Sequence, residues 1–179
     1  MLNSYAAGDK RVVPFIHTTT FTYNGSPDNH PFFRKYLDTT QVPASKSRFD
    51  WGINFMVVRY TDVLLMKAEC VLNGASGSQA TDVDAVVNQV RTRAGLTAVS
   101  NVTLPQLFDE RRREFANEGS RWFDLQRSGN LITIMNAFEA SEDLALHKMN
   151  TVVANYIIYP VPQTQLDAAP GLYGQNPGY

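Results

Sequence analysis

Apolar residues recur at three- and four-residue steps through the middle of the chain, and that spacing predicts helices. Between residues 57 and 73 the repeating positions are Tyr60, Val63, Leu64, Ala68, Val71 and Leu72. Between 80 and 94 they are Val83, Val86, Val87, Val90 and Ala94. Valine is a mediocre helix former, yet strict alternation fails here and a helical face fits. A third helix is predicted to begin at Thr103, which stands three residues before Gln106 in capping-box positions. Pro105 falls in its first turn, where a missing N–H costs little. Leu104, Leu107, Phe108 and Phe115 face one way from it. A short amphipathic segment follows at 120–127, carrying Trp122, Phe123 and Leu125, and a weaker one at 131–138. Glycines 74, 77, 95, 119 and 129 punctuate these segments.

The flanks lack that period. Four of nine prolines precede residue 44 and four follow residue 159, so helices are expected to concentrate in between. Residues 1–55 hold ten aromatics among Gly, Pro, Asn, Ser and Thr. Short β pieces are expected there, for example within 15–23, along with long ordered loops. Such a segment needs the helices, or further chain, to cover it. Near the other end, 156–159 reads as a brief strand stopped by Pro160 and Pro162. The expected fold class is mainly α: a helix pair and further helices at 57–140, an aromatic-rich loop segment at 1–56, and a loop-rich closing segment at 141–179.

Composition narrows the function classes. At 179 residues, 44% hydrophobic and 18% charged, the chain is a globular mixture with room for one ordinary domain. A net charge of −1 lacks the basic excess of a general nucleic-acid binder. No apolar run approaches the ~20 residues that span a bilayer. The first residues lack the basic and apolar regions of a secretory signal. The single Cys70 excludes an intrachain disulfide and is expected to be a small buried filler beside the first helix's apolar stripe.

Charge is densest from Glu110 to Arg127. Glu110 and Glu114 stand four apart on one predicted helix, with Arg111, Arg112 and Arg113 between them and Glu118, Arg121 and Asp124 following. Two neighbouring carboxyls invite a glycosidase reading, which requires one to stay protonated near neutral pH. The interposed arginines favour the ionised forms and pull in the wrong direction for a general acid. Ion pairs that hold the helices together are the preferred account, with Glu110, Arg111, Glu114, Glu118, Arg121 and Asp124 as structural residues and Trp122 buried beside them. His17, His30 and His147 show no metal-ligand spacing, and no phosphate-cradling or nucleophile-elbow motif is present, so no metal or cofactor is expected.

Five blocks, in order, resemble the SusD/RagB family: RYTDVLLMKAE at 59–69, VNQVRTRAGL at 87–96, ERRREFANEGSRWFDLQR at 110–127, YPVP at 159–162 and QNPGY at 175–179. Phe115 and Gln126 stand where the family pattern would have Leu and a basic residue. The resemblance spans the chain but only the C-terminal part of a typical member, so the chain is expected to be a fragment whose TPR-like helix pair needs stacked partners. It implies a non-catalytic outer-membrane lipoprotein at the bacterial cell surface. Such a protein captures a nutrient, commonly a glycan, and delivers it to a TonB-dependent, SusC-like transporter. Membrane attachment would then depend on an N-terminal lipid.

Two other readings stay open: a TPR-like protein–protein scaffold without a small ligand, and a carbohydrate-active enzyme using Glu110 and Glu114. A sugar ring needs a flat aromatic with hydrogen-bonding neighbours. Trp51 with Asp50, Tyr23 with Asn24, and Tyr36 best supply that chemistry and are the candidate ligand contacts, whereas Phe21, Phe32, Phe33 and Phe55 are assigned to the core.

Overall fold

A computed structural model describes residues 2–23, 25–36, 53–77, 79–143 and 148–179. The chain forms two compact units, Met1–Arg121 and Trp122–Tyr179. The described residues are mainly helical, with short strands confined to the first unit.

In the first unit, helix α1 (Val12–Phe15) leads into strand β1 (Ile16–His17), followed by β2 (Phe21–Tyr23), β3 (Ser26–Asp28) and β4 (Phe32–Phe33). β1 pairs antiparallel with β4 in the register Ile16–Phe33, and β2 with β3 in the register Phe21–Asp28. The expected β pieces are therefore two small ladders. Phe21 and Phe33 are about two-fifths exposed and Phe55 more so, which corrects their assignment to the core. Two-stranded ladders have no opposing layer in which to bury both faces.

Helices α2 (Tyr60–Leu72), α3 (Ala80–Arg93) and α4 (Leu104–Glu114) carry the main core. Leu65 and Ala68 of α2 meet Val83, Val86, Val87 and Val90 of α3, with Val102, Leu107 and Phe115 completing the cluster. The α3 stripe read from the sequence is the buried one, Ala94 included. In α2 the apolar pattern runs most of the way round, and packing selects the side holding Thr61, Leu65 and Ala68. Tyr60 and Val63 are exposed, contrary to expectation, and so is Cys70, which lies on the outward side rather than filling the core. At the start of α4, the Thr103 backbone N–H donates to Gln106 Oε1 at 2.8 Å, the reciprocal bond of a capping box.

The loop between α3 and α4 is tied to α3 by side chains one turn apart. Asp84 accepts from the backbone N–H groups of Asn101 and Val102, both at 2.9 Å. Asn88 exchanges two bonds with the Val99 backbone, and Arg91 Nε donates to the Thr97 carbonyl at 3.0 Å. Loop backbone groups outside regular structure still need partners, and α3 supplies them to this loop.

In the second unit, α5 (Arg121–Arg127, its first residue belonging to the first unit) and α6 (Leu131–Glu142) surround a smaller core of Leu125, Leu131 and Val152. Residues Ala154–Ile157 form a 3-10 turn, which corrects the expected strand. Its Ile157 carbonyl accepts from Gln126 Nε2 at 2.9 Å rather than from a neighbouring strand. Helix α7 (Gln163–Ala168) precedes a closing segment that folds back on 155–161. Gln175 pairs with both backbone groups of Val161, Asn176 Nδ2 donates to the Tyr159 carbonyl, and Tyr179 Oη to that of Asn155. No helix among the described residues is long and apolar enough to cross a membrane.

Candidate functional site

The first unit contains a cavity of about 420 Å³ beside the C-terminal end of α4. Its floor is an ion network centred on Glu114, whose side chain is only 1% exposed. Glu114 Oε1 accepts from Arg59 Nη1 at 2.8 Å and from Arg93 Nη2, and Oε2 accepts from Arg11 Nη1 at 3.3 Å. Arg11 also donates to Glu110 Oε1 at 2.6 Å and grips Asp9 through Nε and Nη2 at 2.9 and 2.7 Å. Arg91 and Arg113 complete Glu110 from its other oxygen. Glu118 pairs with Arg59 Nε at 2.9 Å and with Lys35.

This network also closes the end of α4. Helix-terminal carbonyls lack intrahelical donors and favour nearby cations. Lys35 Nζ donates to the Glu114 carbonyl at 2.7 Å and to that of Ala116 at 3.3 Å, and Arg59 Nη2 reaches the Glu114 carbonyl at 2.9 Å. The ring of Phe15 lies 3.9 Å from Lys35 Nζ, while Arg59 and Arg111 sit over Phe115 at 4.5 and 5.0 Å. Arg111 pairs with Asp62 of α2 at 2.9 Å.

Burial alone would push the Glu114 carboxyl up, but the hydrogen bond and charge of Arg59, with Arg93 and Arg11 behind them, hold it below the usual carboxylate range. Asp9 is likewise held low by Arg11 against the cost of its burial. Lys35 is shifted below the usual lysine range by burial, which Glu118 offsets only in part. The Tyr5 phenol, whose Oη donates to the Arg113 carbonyl at 2.8 Å, is pushed up to about 12 by burial. A carboxyl held ionised, as Glu114 is, cannot donate a proton near neutral pH, which is the opposite of what a general acid requires.

The structure brings Glu110, Arg111, Glu114 and Glu118 together in this part of the first unit. Asp124 lies in the second unit, buried and paired with Arg127 at 2.7 Å. Trp122 is half-buried against the Leu125 cluster, and Arg121 is half-buried. Of the candidate ligand contacts, Trp51, Asp50 and Asn24 lie outside the described residues. Tyr23 ends β2 opposite Ser26. Tyr36 stacks on the exposed Phe55 with ring centroids 5.4 Å apart, and its phenol is raised by burial and then by Glu118. Among the described residues no group of His, Cys, Asp and Glu side chains could hold a metal ion. Sequence reasoning missed Asp9, Arg11, Lys35, Arg59, Arg91 and Arg93 as members of the network, since partners on other segments of the chain leave no periodic signal.

The profile of the SusD family matches residues 16–179. The chain belongs to the SusD family. A SusD-like protein of Formosa agariphila, P2, is 28% identical, with the alignment covering 92% of this chain and 34% of the relative. A second from that organism, P25, is 31% identical over 88% of this chain and 30% of its own length. The chain thus spans about a third of these SusD relatives. Among solved structures, surface glycan-binding protein A from Bacteroides uniformis superposes with a TM-score of 0.72 at 29% identity, over 98% of this chain and 39% of that one. Its counterpart from Bacteroides thetaiotaomicron gives 0.76 at 26% identity, over 99% and 40%. The mainly α SusD-like fold read from the sequence is the one observed.

Proposed function

We propose that this chain forms the C-terminal part of a cell-surface protein that captures a glycan without cleaving it and passes it to a TonB-dependent, SusC-like outer-membrane transporter. The observation that carries the reading is likeness along nearly the whole chain to two proteins described as surface glycan-binding. The charge network supports the non-catalytic half. Glu110 and Glu114 are both engaged by arginines, and Glu114 is held ionised, so Glu114 does not supply the protonated carboxyl that glycoside hydrolysis requires. Attachment to the outer membrane would be through an N-terminal lipid.

The proposed sugar contacts are Trp51 and Asp50, with Tyr23, Asn24 and Tyr36 as further contributors. Tyr36 and Phe55 already stack as a partly exposed aromatic pair, and Phe55 follows Trp51 by four residues in the sequence. The test is calorimetric titration of the chain and its Trp51→Ala variant against a panel of glycans, with a reducing-end assay on each mixture. Expected are binding of at least one glycan, loss of that binding in the variant at an unchanged thermal melt, and no new reducing ends. Cleavage, or a panel with no binder, overturns the capture reading; full affinity in the variant overturns the assigned contacts.

A further inference from the structure

The cavity beside Glu114 holds more positive charge than its carboxylates balance. Five cations line it, Lys10, Arg11, Lys35, Arg59 and Arg93, against Glu114 and Glu118. Asp9 and Glu110 add two negative charges behind this lining, but Arg91 and Arg113 on Glu110 cancel them, so among the described residues an excess of three cations remains, two of them, Lys10 and Arg93, facing solvent. Lys35 is almost fully buried and Arg11 fully so. Burying positive charge without full compensation is costly, and an added anion relieves that cost. The lowered Lys35 ammonium is consistent with incomplete compensation.

Two of these cations are accessible at the rim. Arg93 offers Nη2 to Glu114, while its side chain is 57% exposed. Lys10 is exposed, and its stem crosses Gly95 so closely that an added Cβ there would lie 2.9 Å from Lys10 Cε. Gly95 at φ +76° thus ends α3 and leaves room for the Lys10 stem. Pro14 and Met56 give the same cavity an apolar wall. Its volume falls within the ~300–1,000 Å³ of small-molecule sites.

We propose that this cavity binds the oxyanion of an acidic sugar, a uronic-acid carboxylate or a sulfate ester, with Lys10 and Arg93 on the charge and Pro14 and Met56 against the C–H face of the ring. The proposal rests on the glycan-capture reading and narrows it to acidic glycans.

The experiment titrates the chain with glucuronate, galactose 6-sulfate, glucose and inorganic sulfate at low and high salt, then repeats the series with Lys10→Gln and Arg93→Gln. Both substitutions remove the charge and keep a polar side chain, and in Arg93→Gln Glu114 retains Arg59 and Arg11. Expected is at least tenfold tighter binding of one acidic sugar than of glucose, weakened by salt and reduced at least tenfold in each variant, with an unchanged melt in Lys10→Gln, which leaves the partners of Glu114 intact. The tighter of the two acidic sugars identifies the oxyanion. Glucose bound equally well, variants bound equally well, or inorganic sulfate bound as tightly as the sugars each overturns the proposal. Neutral glycans that bind through Trp51 while both acidic sugars fail overturn it and leave glycan capture standing. An acidic sugar bound here while Trp51→Ala changes nothing upholds it and removes the Trp51 platform.

Discussion

Glu114 gathers guanidinium groups from three distant parts of the chain: Arg11 just before α1, Arg59 at the start of α2 and Arg93 at the end of α3. A buried carboxylate so held joins the loop segment to the helices, and removing it leaves the arginines facing one another. Glu114→Gln is expected to cost about 3–5 kcal/mol, the range for breaking a buried pair by removing one partner, read as a lower urea midpoint. Acidification should act on the same groups. Glu114 and Asp9 titrate lower in the folded chain than unfolded, so the stability they contribute is fully present above the ordinary carboxyl range and is lost as pH falls through their folded values. Urea melts from neutral to acidic pH should show that loss, and Glu114→Gln should flatten it. The carboxylate half of this network is legible in the sequence, where the Glu110–Glu118 block is dense in charge. The other half is not, because an arginine a hundred residues away is identified only by the fold that brings it near. Gly178 shows a different kind of constraint. It sits at φ +95°, and a Cβ there would lie 1.8 Å from Asn155 Nδ2 and 2.9 Å from Asn155 Cβ. Rotating Asn155 cannot relieve the second contact, so Gly178→Ala should strain the closing segment by about 1–3 kcal/mol, seen as loss of amide-exchange protection around Asn155 and Tyr179.

Among the elements, α3 is the most legible. Its four valines lie on one face, and that face is buried. Helix α2 offers apolar residues on several sides, so periodicity alone does not select the face that packs; contact with Val83 and Val87 does. The 3-10 turn at Ala154–Ile157 follows the same logic. Its aromatic and β-branched residues fit a strand locally, but no described neighbouring strand pairs with it, and Gln126 takes the Ile157 carbonyl. The polar face of α3 also works structurally, holding the loop to α4 through Asp84, Asn88 and Arg91. Asn88→Ala removes both bonds to the Val99 backbone and leaves half-buried groups unpaired, at a cost of about 1–3 kcal/mol. Asn88→Asp keeps the acceptor and should fall between the two in a urea melt. Equal stability of all three would mean that the loop is held by its apolar contacts alone.

At the scale of the whole molecule, the outer side of α2 is the feature that core packing leaves unused. Tyr60 and Val63 are 76% and 49% exposed, Met66 is 40% exposed, and Cys70 continues the same side one turn further on. Val57 and Val58 just before the helix are also exposed. Residues three and four apart form one stripe on a helix, so these side chains make a contiguous apolar strip opposite Leu65 and Ala68. Strips of this kind mark association surfaces, and helix pairs of repeat-like folds bury theirs against neighbouring pairs. In solution the chain alone is therefore expected to self-associate through α2. Light scattering across a concentration series should give a mass that rises with concentration, under reducing conditions so that Cys70 cannot link copies covalently. Tyr60→Lys with Val63→Lys should abolish the rise, because charge on the strip opposes burial without touching the α2–α3 core. The thermal melt should be unchanged or raised. A monomer at all concentrations, or association that survives the double substitution, would mean that this strip is not the surface through which copies meet.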